Sequence, residues 1–321
     1  MAQTEAGVEL LSRDAFYKHL ESLSVEPEIN PRTGVPLKPR WLTVHRVHGE
    51  RLYDIKRNLR EGQLFTVCEE ARCPNISECW NSGTATFMIL GDTCTRGCRY
   101  CAVKTGNPEG LLDADEPLKV ANNIKKMKLD YAVITMVDRD DLPDGGSAHI
   151  ARTIDAIQSE NPGLLLEILA GDFQGRTEPL SEVIHAGKGI NVFAHNLETV
   201  RRTTPRVRDA RAKYDQSLMV LQNAKQMRKG LFTKSALMLG LGEAPQEIEE
   251  SLKDMRSVGV DIVTIGQYLQ PSKKHLSIKR FVHPEEFDHW KMMAESLGFK
   301  AVASGPLVRS SYKAAHLFPR E

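Results

Sequence analysis

The sequence predicts a parallel α/β fold: a partial, open-sided barrel of six β/α units with N- and C-terminal extensions. Three observations carry that expectation. From Thr84 onward short apolar runs alternate with amphipathic helical stretches, polar residues gather at the ends of those runs, and six units fall short of the eight that close a full barrel. The pattern alone leaves a doubly wound sheet open. That alternative would be helped by a glycine fingerprint, but Gly240-Leu-Gly242-Glu-Ala-Pro245 lacks a third glycine and a convincing acidic partner, so it reads as a backbone turn.

Taken in order, residues 9–23 place Leu10, Leu11, Phe16, Leu20 and Leu23 near helical spacing, and Pro27, Pro31, Gly34, Pro36 and Pro39 then impose an extended arm. The expected strands are Phe87–Leu90, Tyr131–Val137, Leu164–Leu169, Ile190–Ala194, Ala236–Leu241 and Asp261–Tyr268, with Ala301–Val308 as a candidate last strand. Helices lie between them. Pro117 precedes Val120, Ile124 and Met127; Ser147 can cap a helix carrying Ile150, Ile154 and Ile157. Glu243-Ala-Pro245 opens a helix striped by Ile248, Leu252 and Met255 and closed at Gly259, and Pro284 precedes Phe287 and Leu297, with Gly298 at the end. In such folds functional groups gather beyond the carboxyl ends of the strands, here Thr135, Asp138, Asp172, His195, Asn196, Glu243, Gln267 and Gln270, although helix capping explains about half of such residues. Glu167 stands apart, because it interrupts an apolar strand where a carboxylate needs a basic side chain or a ligand hydroxyl.

The 321 residues are 41% hydrophobic, ample for a buried core, and 43 basic against 42 acidic residues leave a formal charge of +1. So small a charge gives no global field for nucleic acid or a membrane surface. No apolar run approaches the length of a membrane span, and Met1 to Leu10 hold Glu5 and Glu9 but no Arg or Lys, unlike a transit peptide. Locally, Lys38 to Arg60 carry seven basic residues (Lys38, Arg40, Arg46, Arg51, Lys56, Arg57, Arg60) against Glu50 and Asp54. That stretch is either a solvated face or a dock for an acidic protein partner, and it lacks the aromatic interleaving expected for nucleic acid.

All six cysteines fall between residues 68 and 101, as Cys68, Cys73 and Cys79 with spacing C-x4-C-x5-C, then Cys94, Cys98 and Cys101 with spacing C-x3-C-x2-C. Three is an odd number for disulfides and one short for a structural zinc site. The nearest histidines, His45, His48 and His149, stand outside short ligand spacings. Three thiolates can hold an iron–sulfur cubane while leaving its fourth iron open to another ligand. Cysteines used in this way must stay reduced, so a cytoplasmic setting is expected.

The C-x3-C-x2-C spacing after the first strand, with Tyr100 before its last cysteine, resembles the radical S-adenosylmethionine superfamily, and Cys68-Glu-Glu-Ala-Arg-Cys73-Pro-Asn-Ile-Ser-Glu-Cys79 resembles the auxiliary-cluster motif of the lipoyl synthase family. The blocks Gly83-Thr-Ala-Thr-Phe-Met-Ile-Leu-Gly91, Val137-Asp-Arg-Asp-Asp-Leu142, His195-Asn-Leu-Glu-Thr-Val200, Gly266-Gln-Tyr-Leu-Gln-Pro-Ser272 and Arg309-Ser-Ser-Tyr312 look like that family's too. Two departures stand out: Ala170-Gly171 precedes Asp172-Phe173 where the family usually has a proline, and the first 35 residues match nothing.

The resemblance implies two 4Fe-4S clusters and S-adenosylmethionine. Cys94, Cys98 and Cys101 would hold the cluster that binds S-adenosylmethionine; Cys68, Cys73, Cys79 and Ser311 would hold the auxiliary one. A serine alkoxide is a hard donor among soft thiolates, which suits an iron that has to leave. The implied reaction is radical insertion of two sulfur atoms at carbons 6 and 8 of a protein-bound octanoyl-lysine, with the auxiliary cluster as sulfur donor. Expected contacts to S-adenosylmethionine are Tyr100 by backbone and ring, Thr135 and Asp138, Glu167 toward the ribose, and Asn196. The implied partners are octanoylated lipoyl carrier proteins, a low-potential electron donor such as ferredoxin or flavodoxin, and an iron–sulfur carrier for rebuilding, with no nucleic acid and no membrane. The organisation implied is an N-terminal extension with auxiliary-cluster cysteines (1–83), a partial radical-SAM barrel (84–300) and a C-terminal extension with the serine (301–321). The rival readings are another two-cluster sulfur-inserting enzyme, such as a transfer-RNA methylthiotransferase, for whose added RNA-binding domain the chain leaves no room after the barrel, and a non-catalytic zinc or iron–sulfur protein.

Overall fold

The computed structural model describes residues 13–32, 34–43, 50–62, 64–70, 73–81 and 85–319. Leu10, Leu11, His45, Arg46, His48, Ala71, Arg72, Gly83 and Thr84, all named above, lie outside the described residues, as does the Arg51 side chain. The strands are β1 (Phe65–Thr66), β2 (Thr86–Ile89), β3 (Thr93–Cys94), β4 (Lys104–Thr105), β5 (Tyr131–Met136), β6 (Leu165–Leu169), β7 (Val192–Ala194), β8 (Phe232–Leu239), β9 (Ile262–Gln267) and β10 (Ala301–Gly305). Helices α1 (Arg13–Leu23), α2 (Glu50–Glu61), α3 (Val67–Glu70) and α4 (Ile76–Asn81) precede the barrel. Helices α5 (Glu116–Met127), α6 (Ser147–Glu160), α7 (Thr177–His185), α8 (Thr204–Val207), α9 (Tyr214–Met227), α10 (Pro245–Ser257) and α11 (Pro284–Ser296) connect its strands, and α12 (Ala314–Leu317) follows it.

The main sheet runs β1-β2-β5-β6-β7-β8-β9-β10, parallel throughout except for β1, which joins β2 antiparallel. Strand order that follows chain order means each helix steps to the next place in the same direction. A doubly wound sheet reverses at a switch point, so the topology decides for the barrel. It stays open, because the edge of β2 carries β1 rather than β10.

Alternation along each strand divides outside from inside. Ala132, Ile134, Leu166, Ile168 and Phe193 pack outward with Ile124, Ile154 and Ile184 of the covering helices, and Leu237, Val263 and Ile265 do the same with Leu252, Met255 and Trp290. Each fully buried Leu or Ile contributes about 1.5–3 kcal/mol. On the inner face Tyr131, Val133, Leu165 and Leu169 meet Ala314, Ala315 and Phe318, with the Phe318 ring 6.1 Å from Tyr131 and 5.4 Å from Phe232. The C-terminal segment therefore turns back from β10 into the open side of the barrel.

One capping expectation is corrected. Ser147 is the first residue of α6, with its hydroxyl 2.5 Å from Glu182, while the Asp144 carboxylate accepts from the Gly146 and Ala148 amides at 2.9 and 3.0 Å. A carboxylate is the stronger acceptor for free amides at a helix start.

Candidate functional site

The carboxyl ends of the strands enclose a cavity of about 550 Å3, within the range of small-molecule sites. All six cysteines are free and line it, together with Ser310, Ser311 and Tyr312.

The second triplet is aimed by a turn after β2. Leu90 and Gly91 take left-handed conformations, φ 70° and 89°, and donate their amides to Glu116 at 2.8 and 3.3 Å; His149 Nε2 lies 2.7 Å from the same carboxylate. Arg139 Nη1 donates to the Leu90 carbonyl at 3.0 Å. Beyond the turn, β3 pairs with β4, and the amides of Arg96 and Asp209 donate to the sulfurs of Cys94 and Cys98 at 3.4 and 3.3 Å. Arg96 locks the loop from below. Its buried guanidinium forks onto Asp140 at 2.8 and 2.9 Å and onto Asp172 at 2.8 and 2.7 Å, with Asp138 at 3.7 Å. A buried guanidinium without these carboxylates would be costly.

Cys68 lies in α3, Cys73 just before the turn that leads into α4, and Cys79 within α4. The Cys73 amide donates to the Cys68 carbonyl at 3.0 Å, and Asn75 Nδ2 donates to the Leu307 carbonyl at 2.6 Å, tying this turn to the C-terminal segment. Glu78 holds the same segment, accepting from Tyr312 Oη at 3.1 Å and pairing with Lys313 Nζ at 2.8 Å. Gly266 of β9 admits the crossing chain: a Cβ there would stand 2.1 Å from the Val308 carbonyl oxygen. The half-buried Ser311 is thereby held against the cavity wall.

Burial pushes every one of the six thiols up, Cys98 to about 11 and Cys79 and Cys101 to about 12. Charge from Cys68 and Cys73 adds to the rise at Cys79, and charge from Cys94 and Cys98 to that at Cys101, so members of each triplet stand within electrostatic reach of one another. Such groups become thiolates only beside a cationic centre, and two soft donor sets of three fit iron–sulfur clusters. Among the described residues no three side chains converge on a single ion, and a cubane, which takes one sulfur per iron, does not require it.

Of the residues expected to contact S-adenosylmethionine, Tyr100, Thr135, Asp138 and Asn196 line the cavity and Glu167 does not. Glu167 sits deeper in the barrel, 1% exposed, bound by Lys234 Nζ at 2.8 and 3.0 Å and by Tyr131 Oη at 2.6 Å. The basic partner that its burial demanded is protein, and the expected ribose contact is corrected. Asp138 is raised to about 6 by burial, an effect that Arg96 opposes and Asp172 and Asp140 increase. His195 is pushed down to about 4 by burial and by Arg208; its ring bridges the Ala170 carbonyl and Ser217 Oγ, both at 2.9 Å.

Two buried polar atoms of the cavity lining, Asn196 Oδ1 and Arg208 Nε, have no hydrogen-bond partner among the described residues. Asn196 Nδ2 donates to Glu198 Oε1 at 3.0 Å, and Glu198, its carboxyl raised by burial, lines the cavity as well. Unpaired buried donors and acceptors fit a polar ligand. Arg208 and Glu198 were not among the expected site residues; Glu198 could have been found from its place two residues after Asn196, whereas Arg208 is one of several arginines in a basic run.

The model of the Radical SAM superfamily matches residues 88–255. "Lipoyl synthase 1, chloroplastic" of Zea mays is 52% identical over 292 residues, covering 88% of this chain and 80% of that protein, and "Lipoyl synthase, chloroplastic" of Arabidopsis thaliana is 51% identical over 300 residues, covering 91% and 76%. The chain belongs to the lipoyl synthase family. As a radical-SAM lipoyl synthase it is an enzyme that uses a 4Fe-4S cluster and S-adenosylmethionine. Two solved structures share the fold alone. Methylornithine synthase has a TM-score of 0.53 at 15% identity, covering 80% of this chain and 72% of its own, and HydG, a maturase of the FeFe-hydrogenase, has 0.54 at 13%, covering 80% and 63%. Among the described residues no helix is long and apolar enough to cross a membrane.

Proposed function

We propose that this lipoyl synthase inserts two sulfur atoms, at carbons 6 and 8, into an octanoyl chain amide-linked to a lysine of a lipoyl carrier protein. The reading is supported above all by one observation: both cysteine triplets and Ser311 wall a single cavity. Cys94, Cys98 and Cys101 would hold the cluster that meets S-adenosylmethionine, and Cys68, Cys73, Cys79 and Ser311 a second, auxiliary cluster. When bound, the first supplies the 5'-deoxyadenosyl radical able to take hydrogen from an unactivated C–H bond, and the second supplies sulfur.

The chain's own residues do the positioning. Asn196, Glu198 and Arg208 offer polar atoms to a ligand beside the second triplet, with Tyr100, Thr135 and Asp138 on the same wall. Met88, Met136, Leu169, Ala236 and Met238 give that cavity an apolar wall for an alkyl chain. Arg96 and its three aspartates hold the cysteine loop still. Division of labour by segment follows: 1–83 brings the auxiliary cysteines, 84–300 the barrel, and 301–321 the serine. The partners proposed are an octanoylated carrier domain, a ferredoxin- or flavodoxin-like donor and an iron–sulfur carrier. The compartment proposed is the cytoplasm, a reducing setting that suits six free thiols.

The test separates the two triplets. Cys98→Ala should abolish cleavage of S-adenosylmethionine, while Cys73→Ala should retain some cleavage to 5'-deoxyadenosine and make no lipoyl product. Product at the normal rate from the Cys73 variant would sink the auxiliary assignment.

A further inference from the structure

The outer side of the Cys94–Cys101 loop is formed by segments 95–101, 199–208 and 270–280, which together carry ten Lys or Arg and no Asp or Glu. The Arg99 amide donates to the Val207 carbonyl at 2.9 Å, the Leu276 amide to the Arg99 carbonyl at 3.1 Å, and His275 Nε2 to the Cys101 carbonyl at 2.9 Å, so the three segments make one continuous surface. Acids from elsewhere neutralise Arg96, Arg201, Arg202 and Arg280, and Arg208 is buried at the cavity. That leaves Arg99, Arg206, Lys273, Lys274 and Lys279, all exposed and, among the described residues, without a carboxylate at ion-pairing distance. Arg206 and Lys279 flank Gly242, where a Cβ would lie 3.4 and 3.5 Å from their side chains.

We propose that this basic surface docks an acidic, low-potential one-electron carrier protein that reduces the site held by Cys94, Cys98 and Cys101. The proposal rests on the radical-SAM reading of that site. Charge selects the class of partner: a patch of unpaired cations on a chain of almost zero net charge attracts an acidic protein over a range set by the ionic strength. Position selects its task. None of the five cations lines the cavity, so a partner seated on them faces the back of the cysteine loop instead of the cavity that would receive an octanoyl chain. Arg99 stands between Cys98 and Cys101 in that loop, which places the partner one layer of chain from the sulfurs. One electron leaves the donor, which is oxidised by one, and enters the iron site, which is reduced by one; no atom or proton need move.

The test compares reductants on the anoxically reconstituted holoenzyme with an octanoyl-lysine peptide as substrate. Lys273→Glu/Lys274→Glu/Lys279→Glu should lower 5'-deoxyadenosine formation driven by a reduced, acidic plant-type ferredoxin by about tenfold or more at low salt, the gap closing at high salt. With dithionite, which needs no docking, the variant should stay within about twofold of wild type, and the corresponding triple Gln variant should fall between the two with ferredoxin. Unchanged ferredoxin-driven rates, equal loss with both reductants, or a loss seen only with an intact carrier protein would each overturn the proposal. No dithionite-driven cleavage by wild type would remove the radical reading along with it.

Discussion

Ser311 lies 210 positions beyond Cys101, and its place at the cavity depends on side chains that grip its neighbours. Tyr312 and Lys313 bind Glu78, and the Gly266 backbone leaves room for Val308. If Ser311 ligates the auxiliary cluster, Ser311→Ala should let the cysteine-bound irons assemble, alter the cluster's spectrum and lower sulfur insertion by about tenfold or more. Ser311→Cys should bind the cluster and also lose activity, since a thiolate would hold the iron that has to leave. Wild-type lipoyl formation in both would refute the role. Glu167 makes the opposite case, a residue expected at the ligand that is structural. Lys234→Met should strand its carboxylate in the barrel and cost about 3–5 kcal/mol, while Glu167→Leu/Lys234→Met should recover most of that loss. Urea unfolding checks it, and equal midpoints for the single variant and wild type would show that the pair carries no stability.

Helix α2 presents exposed Lys56, Arg57 and Arg60, and Arg57 is paired with Asp54 at 2.6 Å where both are open to water, so that pair contributes little. The stretch from Lys38 to Arg60 reaches the site at one end, because Lys38 lines the cavity. Reversing Arg51 and Arg57 to Glu should weaken turnover of an intact acidic carrier domain by about tenfold at low salt and leave a short octanoyl-lysine peptide nearly unaffected. Equal loss on both substrates would point to a folding defect.

At the scale of the whole molecule, if each cysteine triplet holds a cluster that binds the folded chain and not the unfolded one, the two together should stabilise it by mass action. Anoxic protein should be brown, carry iron and sulfide for two cubanes per chain and melt several degrees above the iron-free form; a colourless zinc-loaded protein would overturn this. Much of the fold was legible along the chain. The strands expected at 87–90, 131–137, 164–169, 190–194, 236–241 and 261–268 all form, shifted by a few residues, and 301–308 contributes β10. Periodicity, proline and glycine signals act within a few residues of chain, which is why they can be read there. The same holds for the cysteine spacings and the family blocks around them. By itself, then, the sequence determined the strand–helix alternation, the two donor sets and the family resemblance. Tertiary structure alone decided that strand order follows chain order, that Glu167 meets Lys234 from 67 residues away, that the C-terminal segment returns to Glu78 across 234 residues, and that Asn196 and Arg208 keep unpaired atoms at the cavity. Each of these depends on which distant segments face one another across the barrel, and no local propensity encodes that.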